Sequence, residues 1–251
     1  MSSHDDRSKG LLDYDTHKKD YDDHAKLRAY NGDAGPNKHT GSSKDDVYRG
    51  GHGNDDWRGG SGHDWAWGQG GNDRMWGDSG NDHNYGGKNH DQGRGGGGAD
   101  WWWGDSGNDK GWGDDGNDEM HGGGGQDENR GGRGDDKMFG EGGHDKQWGD
   151  DDDDEMYGGG GDDEHWGGKG DDYHEGGRGS DTYHFDTGDG HDRIADYDPD
   201  NDQIVVTGKT EDDYRYTDDG DGNTEVSWGD PECSVLLMGI DPGTFNDTMM
   251  A

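Results

Sequence analysis

The chain has 251 residues, of which only 22% are apolar and 56 are glycine, and its formal net charge is −38. This composition excludes an ordinary globular domain built around an apolar interior, and the carboxylates argue against nucleic acid as a partner. Such a chain repels itself until its charge is neutralised, and a multivalent cation is the simplest agent. No segment is long and apolar enough to cross a bilayer. The amino terminus also lacks the pattern of a cleaved leader.

The first part of the chain precedes the regular pattern. Residues 1–31 are mixed in charge and poor in large aliphatic side chains, which predicts a flexible amino-terminal lead-in. A nine-residue phase then begins to show in residues 32–37 and 41–46, which lack several of the glycines found later. These two stretches are interpreted as degenerate repeats at the start of the solenoid, or as a cap.

Fifteen nine-residue units follow without an insertion from Gly50 to His184. Glycine is the first residue of every unit and aspartate the sixth, and the fourth is glycine in thirteen units, with Asn89 and Asp152 as the exceptions. A fixed period this short predicts a solenoid. A disordered acidic polymer is disfavoured because biased composition alone does not keep register.

The unit also predicts the ligand. Glycine allows the backbone to turn through positive φ and to direct carbonyl oxygens inward, while the aspartate adds a carboxylate at the exit of the turn. Carbonyl and carboxylate oxygens together form a cage that suits calcium. Magnesium requires a smaller and stricter octahedron, and zinc prefers nitrogen and sulfur ligands.

The unit resembles the G-G-x-G-x-D-x-U-x repeat of the RTX, or haemolysin-type calcium-binding, family over about 135 residues. The resemblance implies an all-β fold, a right-handed parallel β-roll, in which a six-residue turn precedes a three-residue strand and two units make one coil. Multiple calcium ions (Ca2+) would then lie between turns stacked on the same side, held by backbone carbonyls and by the aspartate of each unit. Those metal ligands are Asp55, Asp64, Asp73, Asp82, Asp91, Asp100, Asp109, Asp118, Asp127, Asp136, Asp145, Asp154, Asp163, Asp172 and Asp181.

Position eight of the unit departs from the family pattern. It should face the interior and be leucine-like, yet it is Asn84, Gly93, Gly111, Asn129 or Gln147 in several units. Losing a buried leucine-sized group costs on the order of 2 to 5 kcal/mol. We therefore expect a weak interior, with calcium supplying more of the stability.

Position nine is aromatic in nine of the fifteen units. Because side chains alternate along a strand, these rings should face outward. One sheet would carry Trp67, Tyr85, Trp103, Phe139 and Tyr157, and the other Trp76, Trp112, Trp148 and Trp166. The rings are expected to stack on one another across strands. Binding of an extracellular glycan, or self-association, is the alternative.

Residues 185–251 form a third region, in which branched aliphatic residues return. We predict antiparallel strands at Thr182–Asp186, Arg193–Tyr197, Gln203–Thr207, Thr224–Trp228 and Ser234–Met238 that close the solenoid. The region resembles the cap that follows RTX rolls in type I secreted proteins. Its ending, Asp247 to Ala251, is similar to their uncleaved signal.

The sequence thus predicts three regions: a lead-in at 1–31, a calcium-binding β-roll at 32–184 and a capping region with a type I secretion signal at 185–251. The protein would be secreted through type I machinery and fold on binding calcium outside the cell. No nucleophile elbow or phosphate-binding loop occurs, so we do not expect an enzyme. Two alternatives stay open. One is the folding or targeting module of a secreted protease, lipase or epimerase, and the other is an adhesive, carbohydrate-binding or surface-layer protein.

Overall fold

The computed structural model describes residues 29–209, 214–228 and 233–241. Within these residues the chain is all-β and contains no helix, so no helix able to span a membrane occurs there. Successive strands alternate between two sheets, which we call sheet A and sheet B. Each strand of the repeat region pairs in parallel with the strand two before it and the strand two after it. This arrangement is a parallel β-roll, as the resemblance to the RTX repeat implied.

Sheet A has thirteen strands, whose spatial order is β1-β3-β5-β7-β9-β11-β13-β15-β17-β19-β23-β22-β21. In that order they are Ala29–Asn31, Val47–His52, Trp65–Gly70, His83–Lys88, Trp101–Ser106, Glu119–Gly125, Lys137–Gly143, Glu155–Gly160, Tyr173–Arg178, His191–Ile194, Ser234–Leu237, Thr224–Trp228 and Tyr214–Asp218.

Sheet B has ten strands and contains the even-numbered elements from β2 to β20. They are Lys38–Thr40, Asp56–Ser61, Arg74–Ser79, Gln92–Gly97, Lys110–Asp115, Glu128–Arg133, Lys146–Asp151, Glu164–Lys169, Thr182–Phe185 and Gln203–Val206.

The strands of the roll are longer than the unit predicted. Most contain six residues and run from position seven of one unit to position three of the next, as in β5 and β6. Paired positions are 18 residues apart, for example Met120 with Met138, so two units make one coil. The turn between strands is correspondingly reduced to positions four to six.

The carboxyl-terminal region differs from the predicted antiparallel arrangement. Strands β18, β19 and β20 continue the roll in parallel, and only β21, β22 and β23 pair antiparallel among the described residues. The prediction was wrong for the first three because their backbone groups still meet a preceding coil. A cap is nevertheless present, with an apolar core that includes Phe185, Ile204 and Trp228.

The boundaries predicted between the lead-in, the β-roll and the capping region remain predictions. Strand β1, at the end of the predicted lead-in, already pairs in parallel with β3. Residues 1–28 and the expected secretion signal at Asp247 to Ala251 lie outside the described residues.

Position eight faces the interior in all fifteen units, as predicted. Large and small side chains alternate across the roll there, which the sequence did not reveal. A Cβ atom on Gly111 would lie 2.5 Å from Cδ1 of Trp102, and one on Gly93 would overlap the same indole ring. Trp102 of sheet A therefore fills the space left by two glycines of sheet B, and the roll continues across them.

Polar side chains also occupy the interior of sheet B. Asn129, Gln147 and His165 are buried opposite a row of methionines in sheet A. Gln147 donates a hydrogen bond from Nε2 to the carbonyl of Tyr157 at 3.1 Å. Burial lowers the pKa of His165 to about 3, so this ring is neutral inside the roll.

The position-nine rings lie in the two sheets as predicted. In sheet A they stack face to face, with centroids 4.7–5.4 Å apart and interplanar angles of 3–12°. This row, which also contains a histidine, consists of Trp67, Tyr85, Trp103, His121, Phe139 and Tyr157. The expected cross-strand stacking is confirmed there, and the ring faces are covered by neighbouring rings.

Trp102→Ala should reduce the free energy of unfolding in saturating calcium by about 3–5 kcal/mol, because it leaves an empty space beside two glycines. Denaturant unfolding followed by circular dichroism would measure it. Trp112→Ala is the control, since this tryptophan is only half-buried and should cost much less. Equal losses for the two variants would contradict the packing role given to Trp102.

Candidate metal centres in the stacked turns

The fifteen predicted aspartates lie at the turns on the two edges of the roll, where they form two columns. Aspartates with even residue numbers form one column and those with odd residue numbers form the other. Neighbours within a column are 18 residues apart in the sequence. All fifteen are buried, with at most 3% of each residue exposed. The structure therefore brings every predicted residue into one of two continuous rows of carboxylates.

One oxygen of each carboxylate holds the turns together. The backbone N–H of Asp100 donates to Oδ1 of Asp118 at 2.7 Å, and that of Asp118 donates to Oδ1 of Asp136 at 2.7 Å. The same bond recurs along both columns at 2.6–2.9 Å. Aspartate is thus required at position six because its side chain satisfies the buried amide of the preceding coil.

The second oxygen of nearly all these carboxylates has no partner among the residues that the structure describes. Oδ2 is buried without a hydrogen bond in fourteen of the fifteen predicted aspartates, the exception being Asp181. A buried carboxylate oxygen without a donor is costly. This atom recurs at the same place in successive turns, an arrangement that suits coordination of a cation.

Glycine at position one allows other oxygens to approach this unpartnered atom. A Cβ atom built on Gly86 would lie 2.7 Å from Oδ2 of Asp91 and 2.9 Å from the carbonyl oxygen of Gly104, in the next coil. At Gly140 the corresponding distances to Oδ2 of Asp145 and the carbonyl oxygen of Gly158 are both 2.6 Å. Any larger residue at position one would displace these oxygens, which explains the invariant glycine.

The environment of the columns disfavours negative charge in the absence of a cation. Burial raises the pKa of Asp100 to about 8, and the neighbouring carboxylates Asp118 and Asp82 raise it further. Burial likewise raises the pKa of Asp73 to about 6 and of Asp154 to about 9. The hydrogen bond that each carboxylate accepts at Oδ1 acts in the opposite direction but does not compensate.

The donor set fits calcium. Fourteen of the fifteen turns offer an unpartnered carboxylate oxygen together with glycine carbonyls from adjacent coils. These are the hard oxygen ligands that calcium accepts in numbers of six to eight. Among the described residues no three His, Cys, Asp or Glu side chains cluster as a metal site of their own. A cation bound in the turns would therefore take most of its ligands from backbone carbonyls, a donor set unsuited to zinc.

Three aspartates outside the predicted set extend the columns. Asp46 accepts the N–H of Ser42 at Oδ2, and its own N–H donates to Asp64. Asp192 and Asp202 accept, at Oδ1, the N–H groups of Asp172 and Asp181, each at 3.0 Å.

Asp192 resembles the predicted ligands most closely. Its Oδ2 is buried and unpartnered, and burial raises its pKa to about 8. It lies 20 residues after Asp172 rather than 18, so it falls outside the nine-residue register. The segment from Gly188 to Asp192 keeps the G-x-G-x-D spacing, and this signal could have identified it.

The metal-free roll should gain stability as the pH falls. Because the folded pKa values of about 6 to 9 exceed the ordinary aspartate value, folding takes up protons. The resulting stability is complete below the unfolded pKa and is lost as the pH rises through the folded values. Buried His165 and His174 act in the opposite direction, but they are far fewer.

In chelator we therefore expect a greater folded fraction at about pH 5 than at about pH 9. Far-ultraviolet circular dichroism over that range measures it, with the same titration in calcium as control. A metal-free β-sheet signal that grows as the pH rises would contradict this expectation.

Comparison with known proteins gives the following matches. The family model described as RTX calcium-binding nonapeptide repeat (4 copies) matches residues 49–83, 85–120, 94–128, 112–147, 130–164 and 148–183. Among solved structures, the extracellular lipase LipA from Serratia marcescens aligns with 15% sequence identity and a TM-score of 0.32. The alignment covers 89% of this chain and 40% of that lipase. A search of curated proteins gave no match.

Proposed function

Since the chain belongs to the RTX calcium-binding nonapeptide-repeat family, we propose that calcium fills its stacked turns and that this binding folds the roll outside the cell. The observation that carries the proposal is the pair of columns of buried carboxylates with one oxygen unpartnered. A bound divalent cation would supply the positive charge that these oxygens lack. Ligands would be the predicted position-six aspartates, extended by Asp192, together with glycine carbonyls of the turns.

Charge explains why folding and binding would be one reaction. Without calcium, the chain must either bury ionised carboxylates one coil apart or protonate them, and both are unfavourable near neutral pH. About a dozen calcium ions, one between each pair of stacked turns, would contribute about 24 positive charges against a net charge of −38. The roll then closes because the ions hold its turns.

This dependence suits secretion by type I machinery. The cytosol is poor in calcium, so the chain would stay open for export, and extracellular calcium would fold it after release. We assign no catalytic step to the described residues, since their buried carboxylates already serve the turns. An enzymatic activity carried by a larger protein would be separate from this role.

Calcium titration of the chelated protein near pH 8 should convert a weakly structured spectrum into a β-sheet spectrum in circular dichroism. Isothermal calorimetry should give about a dozen ions per chain. Magnesium at the same concentration is the control and should not produce the transition, because its strict octahedron does not fit these turns. A chelated protein that is already sheet-like at this pH and insensitive to calcium would defeat the proposal.

Two adjacent carboxylates permit a matched test of the ligand assignment. Asp136 is buried with Oδ2 unpartnered, whereas Asp135 is exposed. Asp136→Asn should remove about one ion from the calorimetric stoichiometry and, at a hundredfold excess of calcium over its dissociation constant, about 2.7 kcal/mol of stability. Asp135→Asn should change neither. If both variants kept the parent stoichiometry, the assignment of Asp136 as a ligand would be wrong.

A further inference from the structure

Position nine of sheet B differs from the continuous row of rings in sheet A. Along strands β4 to β14 it alternates between two residue types. The series is Arg58, Trp76, Arg94, Trp112, Arg130 and Trp148. Tryptophans in this series are two strands apart, a separation of about 9.6 Å at the usual interstrand spacing.

Each of these arginines is fixed by an aspartate on the next strand. Arg58 donates to both carboxylate oxygens of Asp78, from Nε at 2.6 Å and from Nη2 at 2.8 Å. Arg94 pairs in the same way with Asp114, and Arg130 with Asp150. These bidentate pairs hold planar arrays of donors and acceptors at the outer surface of sheet B.

The three aspartates adopt a backbone conformation that favours glycine. Asp78, Asp114 and Asp150 have φ values of 75°, 78° and 83° at position two of their units. The alternate strands of sheet B have glycine at that position, for example Gly96 and Gly132. Within sheet B the strained residue therefore recurs on each strand of the series that carries a tryptophan, and sheet A has the same alternation at Gln69, Asp105 and Glu141.

A long groove follows this series along the roll. Its main part has a volume of about 1070 Å³ and is lined by residues from Trp76 on β6 to Lys169 on β16. A second part of about 620 Å³ shares Trp76, Arg94 and Asp114 and continues to Lys38 on β2. The main part alone crosses six strands, a length of about 24 Å.

Both tryptophans that line the groove are available to a ligand. Among the described residues Trp76 and Trp112 are half-buried and stack on no other ring, whereas Trp148, beyond the lining, stacks on Trp166 at 4.8 Å. Arg94, which separates the two rings, is bound to both carboxylate oxygens of Asp114. The rings of sheet A, in contrast, cover one another.

The charges in the groove balance. Arg94, Arg130, Arg133 and Lys169 face Asp114, Asp115, Asp150 and Asp151 in its lining. Arg133 pairs with Asp115 at 2.9 Å, and Lys169 pairs with Asp151 at 2.6 Å. A polyanion would meet no excess of positive charge here and would be repelled by the acidic remainder of the chain.

We propose that this groove binds an extended, neutral, β-linked polysaccharide. Trp76 and Trp112 would each stack on a sugar ring, every second residue along the polymer, because their separation is close to the two-residue repeat of such a chain. The intervening Arg94–Asp114 pair would donate to and accept from the hydroxyl groups of the sugar between them. This role is separate from calcium binding, which only has to hold the roll in its folded form.

Calorimetry in saturating calcium tests the proposal with three probes: cellohexaose, chitohexaose and a hexamer of galacturonate. We expect a neutral hexamer to bind, and Trp76→Ala and Trp112→Ala each to weaken its affinity about tenfold. Trp148→Ala is the matched control, because it occupies the same position of the same sheet outside the lining, and its affinity should stay within about twofold of the parent. The proposal would be overturned if neither neutral hexamer bound or if the galacturonate hexamer bound more tightly. It would also be overturned if Trp148→Ala weakened binding as much as the other two variants.

Asp114→Gly separates recognition from folding. Glycine adopts the required φ without strain and occurs at this position on the neighbouring strands, so the thermal midpoint in calcium should hardly change. The affinity for the neutral hexamer should fall several-fold, because Arg94 loses its fixed partner. Unchanged affinity would assign the pair a structural role only. Circular dichroism of each calcium-loaded variant distinguishes a failure of this proposal from a failure of calcium-dependent folding.

Discussion

The whole roll depends on one electrostatic constraint: fourteen of the fifteen repeat turns bury a carboxylate whose second oxygen has no donor among the described residues. The first oxygen is indispensable, because it accepts the backbone N–H of the preceding coil. The turns therefore cannot stack without bringing the carboxylates into two buried columns. Once they are stacked, like charges lie one coil apart, and burial together with these neighbours raises the pKa values of the carboxylates. Calcium bound in the turns, as proposed, would compensate this cost.

Much of this could be derived from the sequence, since the relevant features are periodic. The nine-residue register located the position-six aspartates. The resemblance to the RTX unit supplied the turns, the inward position eight and the two-unit coil, which divided the outer rings correctly between the sheets. Features that break or cross the register were not accessible in this way. Asp192 was missed because two additional residues shift it from the phase. Strands β18 to β20 were expected to be antiparallel because aliphatic residues return there, although their backbones extend the parallel sheets.

The interior shows why an unfavourable sequence pattern was misleading. Glycine at two neighbouring core positions of one sheet suggests a gap when each unit is considered separately. The indole of Trp102 comes from the opposite sheet, one unit away in sequence, and fills both spaces. Only packing across the roll reveals this complementarity, since a nine-residue average treats position eight as equivalent in all units. The interior is thus heterogeneous in composition yet still filled.

Because the turns and their ions would determine the fold, the outward positions are free to differ between the two sheets. Sheet A uses position nine for a continuous stack of rings, which stabilises its own surface. Sheet B interrupts the stack with arginine on every second strand, and each arginine is held by an aspartate at position two of the next strand. Left-handed residues other than glycine occur at position two in both sheets, for example Asp114 in sheet B and Asp105 in sheet A, so the ion pairs and the uncovered tryptophans are what distinguish sheet B. Exposed ion pairs contribute little to stability. The difference between the faces therefore argues that sheet B is shaped for something outside the chain.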